Sequence, residues 1–259
     1  MEPIAYGPHR DQVADLYLPA ADGPAPLVVV LHGGFWRAQF DREHARPEAQ
    51  ALAALGYAVA NLEYRRVGAG GGWPTTFDDV ARALDALPGL IEDARPGRID
   101  QDRILYIGHS AGGHLALWAA LRHRLSNESA WHTEVAPRVA GVVALAPAAN
   151  LVDAYHRGNG QGAVAELLGG GPRDFPERYA ATDPSVLGTA DIPIVVVHGD
   201  RDQRLPIEMA REYCAKSGAE LVELPGIGHF ELIDPDSTAW PFVVQALRRC
   251  LDRPGRIHT

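Results

Sequence analysis

The sequence predicts an α/β protein built on a mostly parallel β-sheet. Short runs rich in branched apolar residues recur along the chain, at 27–31, 58–62, 104–107, 141–145, 192–197 and 221–224. Continuous apolar runs of this length suit strands that are buried on both faces. Segments with helical periodicity lie between the runs. Strands that alternate with helices form a parallel sheet covered by helices on both sides.

The predicted helices also carry suitable residues at their starts. Two of them have a clear apolar face, formed by Phe77, Val80, Ala81, Leu84 and Leu87 and by Trp240, Val243, Val244, Leu247 and Leu251. Thr75 or Thr76 is placed to cap the first of these helices, and Ser237 to cap the second. Pro47 and Pro206 stand where helices are expected to begin, a position that tolerates proline.

We expect one domain over residues 1–259. A weakly alternating segment at 12–18 precedes Pro19 and predicts an antiparallel strand at the sheet edge. The segment 148–190 lacks this alternation and is long enough to be a functional insertion. With a short helix predicted at 163–168, it is expected to form a small cap beside the substrate pocket.

Composition argues against nucleic acid as a partner. The formal net charge is -9 at pH 7 and no basic run appears, whereas binding to phosphate depends on clustered Lys and Arg. No secretory signal is visible, and no apolar stretch reaches the ~18 residues that span a bilayer. We therefore expect a soluble, cytoplasmic protein without a membrane partner. Cys214 and Cys250 fall on separate predicted helices and predict neither a disulfide nor a metal site.

A candidate nucleophile lies at residues 108–112, which read Gly-His-Ser-Ala-Gly. In a strand-turn-helix of the form G-x-S-x-G, the glycines leave room for a strained serine at the C-terminal edge of the sheet. The pattern alone is weak, because glycine and serine are common in turns. Here it stands between a predicted strand and a predicted helix, whose N-terminus favours an oxyanion. Ser110 is therefore the predicted nucleophile.

A serine nucleophile needs a base and an orienting carboxylate. Asp202 follows the predicted strand at 192–197, and His229 follows the one at 221–224, so both leave the same sheet edge as Ser110. The order Ser, Asp, His is the chain order expected for this type of elbow. Asp200 is a competing carboxylate, although a bond to its own loop backbone explains it more simply.

The strand at 27–31 is followed by His-Gly-Gly-Phe-Trp at 32–36. The glycine pair allows the backbone to approach a substrate and to aim its N–H groups at a carbonyl oxygen. With the amide of Ala111, this loop predicts an oxyanion hole. Histidines lie near the predicted site, but they form no HxxxH or HExxH pair and no carboxylate cluster accompanies them. No metal site is predicted.

Together these motifs, spread over residues 32–229, resemble those of serine hydrolases with the α/β-hydrolase fold. Within that superfamily the chain is similar to carboxylesterases of the hormone-sensitive-lipase and feruloyl-esterase-like type. It is also similar to kynurenine formamidases (arylformamidases), which likewise carry His-Gly-Gly-x-Trp. The resemblance implies a central sheet of about eight strands, helices on both faces and a small cap insertion. It also favours Asp202 over Asp200, because it places the acid three residues after Gly199.

The same resemblance assigns the oxyanion donors to the N–H groups of Gly34, Phe35 and Ala111, with Gly33 shaping the loop. Phe35 is a departure, since many lipase-like esterases have a third glycine there, and its side chain narrows the pocket mouth. Substrate contacts are assigned to a set of aromatic and imidazole side chains, namely Trp36, His109 and Phe230. Trp73 is a further candidate for the substrate cleft.

The predicted function is hydrolysis of small or aromatic carboxylic esters through an acyl-enzyme, with His229 as the base and Asp202 as its stabilising carboxylate. No cofactor is required. The alternative is an arylformamidase that hydrolyses N-formylkynurenine. A peptidase and a non-catalytic binding protein on the same fold are weaker alternatives. The expected partner is a small-molecule ester or formamide, and the sequence leaves a homodimer open.

Overall fold

The fold is organised around a sheet of eight strands. The structure is a computed structural model and describes residues 1–252. The strands are Glu2–Ala5 (β1), Val13–Tyr17 (β2), Ala25–Leu31 (β3), Ala58–Leu62 (β4), Ile99–His109 (β5), Gly141–Leu145 (β6), Ile194–Gly199 (β7) and Glu220–Leu224 (β8). Their spatial order is β1-β2-β4-β3-β5-β6-β7-β8. The pairs β1–β2 and β2–β4 are antiparallel, and the others are parallel. The predicted mostly parallel α/β sheet is confirmed.

Helices follow most of the parallel strands. In the described part of the chain the α-helices are Arg46–Ala54 (α1), Thr75–Ala94 (α2), Ala111–Ala120 (α3), Leu151–His156 (α4), Ala163–Leu168 (α5), Pro176–Thr182 (α6), Ile207–Ser217 (α7) and Trp240–Asp252 (α8). Short 3-10 turns occur at Arg42–Ala45, Arg122–Arg124, Pro184–Val186 and Glu231–Ile233.

The sheet separates two apolar cores because side chains alternate along each strand. In β3, Leu27, Val29 and Leu31 face one core, whereas Val28 and Val30 face the other. Helices α2, α3 and α7 contribute to the first core, and α1 and α8 to the second. Continuous apolar runs are therefore required in the central strands, as the sequence pattern indicated.

One strand was not predicted, and several strand boundaries differ from the predictions, that of β5 most. The strand β1 was not predicted, because its sequence Glu-Pro-Ile-Ala is short and buries only Ile4. The strand β5 begins at Ile99 and not at 104, since its first part is polar and largely exposed. Its pairing with β3 shifts register between Pro26 and Leu27.

The capping prediction for α2 is wrong. The helix begins at Thr75 and no side chain caps it. The hydroxyl of Thr76 instead donates to the carbonyl of Arg65 (2.7 Å) and accepts from the N–H of Gly72 (2.9 Å). The preceding glycine-rich loop therefore uses the hydroxyl that was expected to cap the helix.

The other helix starts are closer to the predictions. Pro47 lies in the first turn of α1, and Pro206 directly precedes α7. Ser237 lies three residues before α8, where its hydroxyl accepts from the N–H of Ala239 (3.2 Å). The serine therefore orders the turn that leads into the helix.

The segment 148–190 contains α4, α5 and α6, and the helix predicted at 163–168 is α5. The antiparallel strand predicted at 12–18 is β2, but its predicted place at the sheet edge is wrong. It pairs with both β1 and β4, and β1 forms the edge. Across residues 1–252, none of the helices combines the length and the apolar character needed to cross a membrane. The predicted domain runs to residue 259, and positions 253–259 lie outside the described residues.

Glu48 provides a pH-dependent test of the second core. Its side chain on α1 is 2% exposed, and its Oε1 has no hydrogen-bond partner among residues 1–252. Burial raises the pKa of Glu48 to about 8. The carboxyl is therefore protonated in the folded protein at neutral pH, whereas the unfolded chain ionises near pH ~4.3. The stability contributed by the protonated form is complete below the unfolded pKa and is lost as pH rises toward the folded pKa.

We predict that Glu48→Gln gains stability relative to the wild type as the pH rises from about 5 to about 8, because glutamine cannot ionise. Urea unfolding across this range measures the difference in the free energy of unfolding. Glu128→Gln, at an exposed position, is the matched control and should show no such trend. A difference for Glu48→Gln that does not change with pH would contradict the prediction.

Candidate active site

Ser110 occupies a strained turn between β5 and α3. Its backbone has φ 55° and ψ -115°, a conformation that side-chain-bearing residues rarely adopt. A Cβ on Gly108 would lie 2.2 Å from the carbonyl oxygen of Gly112, and one on Gly112 would lie 1.9 Å from that of Leu31. Both flanking glycines are therefore required sterically, because the turn packs its backbone directly against itself and against β3.

A histidine and an aspartate meet at the ends of two neighbouring parallel strands. Asp202 follows β7 and His229 follows β8. The Nδ1 of His229 lies 2.5 Å from Oδ2 of Asp202. Since a carboxylate accepts, Nδ1 carries the proton and Nε2 remains as the basic nitrogen of the ring.

Further donors hold Asp202 in place. Its Oδ1 accepts from the N–H groups of Arg204 (2.7 Å) and Leu205 (2.9 Å), and Nε2 of His198 lies 3.2 Å from Oδ2. Burial alone would raise the pKa of Asp202, but the hydrogen bonds from His198 and His229 outweigh it and hold the pKa well below its usual range. The carboxylate is therefore ionised at neutral pH, as is needed to stabilise an imidazolium.

His109 fixes His229 beside the elbow. Its Nε2 lies 2.9 Å from the backbone oxygen of His229, and the two ring centroids are 4.5 Å apart. Burial, together with the neighbouring His229, lowers the pKa of His109 well below its usual value, so the ring is neutral and Nε2 donates. Because Ser110 follows His109 directly, this contact attaches the loop that carries His229 to the elbow.

The loop after β3 turns through a left-handed conformation. Gly34, Phe35 and Trp36 have φ values of 105°, 55° and 56°. In the described part of the chain, the N–H groups of Gly34, Phe35 and Ala111 donate to no protein acceptor. These unpaired donors are available to a developing oxyanion. A Cβ on Gly33 would lie 2.9 Å from the carbonyl oxygen of His109, so glycine lets the loop pack against the elbow.

His32 anchors the start of this loop. Its Nδ1 lies 2.8 Å from the carbonyl of Gly33, and its Nε2 lies 3.0 Å from Oε1 of Glu63, with both side chains buried. Both partners are hydrogen-bond acceptors, and together they fix the orientation of the ring. Although burial raises the pKa of Glu63, the interactions with His32, Arg42 and Arg66 together outweigh it and lower the pKa below its usual value.

A small apolar pocket lies against Ser110. It encloses about 240 Å³, including its open mouth, and its walls come from the 35–36 loop, the elbow, the segment 148–164 and Leu205. The enclosed space is small, so this pocket suits a small group. No charged side chain of the described residues lines it.

Of the residues predicted to bind substrate, only Trp36 lines this pocket. His109 contacts His229 instead, and Phe230 is 49% exposed with its ring 5.2 Å from that of His229. Trp73 packs against the ring of Trp131, with their centroids 4.9 Å apart. These three side chains are therefore placed around the base or in the core and do not line the pocket wall.

Asp200 does not approach His229. Its Oδ1 accepts from the N–H of Gly226 (2.7 Å), a bond within the loops at the strand ends. Among residues 1–252, no group of three or more His, Cys, Asp or Glu side chains is arranged to hold a metal ion.

Sequence reasoning missed Asn159, left the role of Glu63 open, and assigned His198 only the backbone bond that it makes to Leu205. The bond from His198 to Asp202 had a signal, since the His-Gly-x-x-Asp spacing places both at the end of one strand. Glu63 also stands at a strand end, but its partner His32 is distant in sequence. Asn159, which lines the pocket, lies in a glycine-rich stretch that gave no signal.

A serine in a strained strand-to-helix elbow, with a His–Asp pair at the same edge of a mostly parallel sheet, defines the site architecture of an α/β-hydrolase-fold protein. The family model described as BD-FAE matches residues 14–216, and the chain belongs to this family.

Curated relatives support the same relationship. The chain is 29% identical over 248 residues to the isoprenylcysteine alpha-carbonyl methylesterase ICME of Arabidopsis thaliana, covering 90% of this chain and 57% of the relative. It is 28% identical over 242 residues to Esterase LipQ of Mycobacterium tuberculosis, covering 87% of this chain and 56% of the relative. The chain therefore spans little more than half the length of these relatives.

Solved structures share the fold. Esterase B from Lactobacillus rhamnosis, solved with a tributyrin phosphonate inhibitor, has a TM-score of 0.77 at 21% identity, covering 96% of this chain and 84% of that one. A truncated carbohydrate esterase from gut microbiota has a TM-score of 0.75 at 20% identity, covering 95% of each chain. These similarities confirm the predicted α/β-hydrolase fold.

The elbow generates a steric prediction. Gly112→Ala forces a Cβ onto the carbonyl of Leu31, so we expect a loss of about 3 kcal/mol in the free energy of unfolding, at the upper end of overpacking effects. Gly89→Ala is the control, because nothing lies within 4 Å of its Cβ position inside α2. It should stabilise the protein by about 0.5–1 kcal/mol. Equal midpoints of chemical unfolding for the two variants would contradict the steric account.

Proposed function

We propose that the protein hydrolyses carboxylic esters through an acyl-enzyme formed on Ser110. The observation that carries this proposal is the 2.5 Å bond between Nδ1 of His229 and Asp202, which leaves Nε2 as a base at the strained serine elbow. A binding protein on the same fold has no physical need for this arrangement.

In the proposed mechanism, Nε2 of His229 takes the proton from Oγ of Ser110 as that oxygen attacks the ester carbonyl. Asp202 stabilises the resulting imidazolium. The N–H groups of Gly34, Phe35 and Ala111 bind the oxyanion of the tetrahedral intermediate. The imidazolium then protonates the leaving alcohol. Water activated by the same histidine releases the acid and regenerates the serine.

Ester substrates are favoured over formamides by the named relatives, which include an esterase and a methylesterase. The small pocket beside Ser110 favours short acyl groups, because its walls leave little room for a long chain. Aromatic groups remain candidates for the alcohol side. Cytoplasmic location, the lack of a nucleic-acid partner and a homodimer remain predictions.

The wild type is expected to hydrolyse p-nitrophenyl acetate and butyrate faster than long-chain emulsified esters. Ser110→Ala should lose at least about 10³-fold in kcat, since removing a member of such a triad leaves only residual catalysis. The rates of hydrolysis of the two p-nitrophenyl esters, a long-chain emulsified ester and N-formylkynurenine are measured for the wild type and for Ser110→Ala. Hydrolysis of the formamide alone would favour the arylformamidase, and equal rates for the two proteins would refute the proposed nucleophile.

The two neighbouring aspartates provide a matched pair of variants. Asp202→Asn keeps the shape of the side chain but removes the charge that orients His229, so we expect kcat to fall by about 10⁴-fold. Asp200→Asn disturbs only the bond to Gly226 and should retain kcat within about threefold. The kcat values for p-nitrophenyl butyrate measure both effects, and a larger loss in Asp200→Asn would reverse the assignment.

A further inference from the structure

A buried histidine at the end of β7 contacts the carboxylate that orients the base. Nε2 of His198 lies 3.2 Å from Oδ2 of Asp202, and both side chains are completely buried. The same carboxylate oxygen lies 2.5 Å from Nδ1 of His229. Two imidazoles therefore meet one oxygen, and the mechanism proposed above uses only that of His229.

The neighbouring groups determine which ring nitrogen of His198 carries the proton. Nε2 also lies 2.9 Å from the backbone oxygen of Leu205, which can only accept. Nδ1 is buried and makes no hydrogen bond with any of residues 1–252. The proton is therefore on Nε2, where the carbonyl of Leu205 and the carboxylate of Asp202 share it in a three-centre bond.

These bonds close the acid loop, residues 202–205, onto the end of β7. Oδ1 of Asp202 accepts from the N–H groups of Arg204 (2.7 Å) and Leu205 (2.9 Å). The carbonyl of Leu205 in turn accepts from His198. Each oxygen of the carboxylate thus faces two donors, which is close to the number that a carboxylate oxygen can accept, so its orientation is fixed.

The acid loop and the base loop, residues 225–229, are joined through their backbones. The N–H of Arg201 donates to the carbonyl of Ile227 (2.9 Å), and a Cβ on Gly199 would lie 2.1 Å from that same oxygen. This contact does not involve the side chain of His198. What the imidazole of His198 adds is the direction and the basicity of one carboxylate oxygen.

We propose that His198 is a positioning residue that turns Oδ2 of Asp202 toward His229 and limits the basicity of that oxygen. The inference rests on the proposed ester hydrolysis and deepens its mechanism. A carboxylate oxygen that accepts from two donors stabilises the imidazolium of His229 less than one that accepts from a single donor. His198 therefore keeps the imidazolium acidic enough to protonate the leaving alcohol.

Other charged or titratable groups surround the imidazole of His229. They come from β5, the turn 42–45 and the two loops, and are His109, His44, Arg204 and Glu231. Burial lowers the pKa of both His109 and His44. All four groups are unchanged in the variants compared below, so their titration is common to every pH profile.

The test measures kcat/KM for p-nitrophenyl butyrate against pH and takes the midpoint of the acid limb, which reports the protonation of the base. His198→Leu and His198→Met both remove the donor. For either variant we expect the midpoint to rise by about 0.5–1 pH unit and kcat to fall by about tenfold, as for the loss of one hydrogen bond. His198→Gln retains an N–H donor and should restore most of both values. A midpoint does not depend on the amount of active protein, so partial misfolding cancels.

His132→Leu is the matched control. Nδ1 of His132 lies 3.0 Å from the carbonyl of Leu125, so the same replacement removes a contact between a histidine and the backbone outside the site. This variant should keep the wild-type midpoint. If a folded leucine or methionine variant at 198 also keeps it, or if glutamine does not move it back, the inference is wrong while ester hydrolysis stands.

A measurement on the wild type tests the same inference without any change of sequence. NMR of the ring nitrogens should show the proton of His198 on Nε2, and a ring protonated on Nδ1 alone would overturn the inference. If the wild type does not cleave the ester above the rate of Ser110→Ala, the proposed function fails and the inference fails with it.

Discussion

The close approach of the backbone at the elbow is the constraint on which the site depends. Gly112 lies so near the carbonyl of Leu31 that no side chain fits between α3 and β3. This contact starts the helix immediately after Ser110 and holds the serine at a positive φ. The same approach brings the loop after β3 against the elbow, so the candidate nucleophile and its unpaired backbone donors occupy one corner of the sheet.

Electrostatic organisation extends beyond the three proposed catalytic side chains. Asp202 accepts from two backbone N–H groups and lies close to two imidazoles, so its charge is already stabilised before a reaction begins. His32 and Glu63 form a second buried imidazole–carboxylate pair at the start of the loop after β3. One pair orients the base, while the other anchors the loop that would receive negative charge. Such fixed dipoles need little rearrangement during the reaction.

Sequence patterns were sufficient for the central strands and for the pairing of Asp202 with His229, because both residues follow apolar runs. They failed where polar sequence forms structure, as in β1 and the first part of β5, and where the loop hydroxyl of Thr76 competes with capping. The position of His109 and the pocket contact of Asn159 depend on residues more than forty positions away. No local pattern encodes such distances.

The ion pair between Arg37 and Glu166 joins two segments that are far apart in the sequence. One end belongs to the turn that presents the backbone amides, and the other to α5 in the segment beside the pocket. Replacing residues 148–190 with those of a relative would therefore leave the guanidinium of Arg37 without its carboxylate, unless the new segment also had an acidic residue at position 166. A substitution in α5 that changes the acyl preference would therefore also change the position of the backbone amides in the loop after β3.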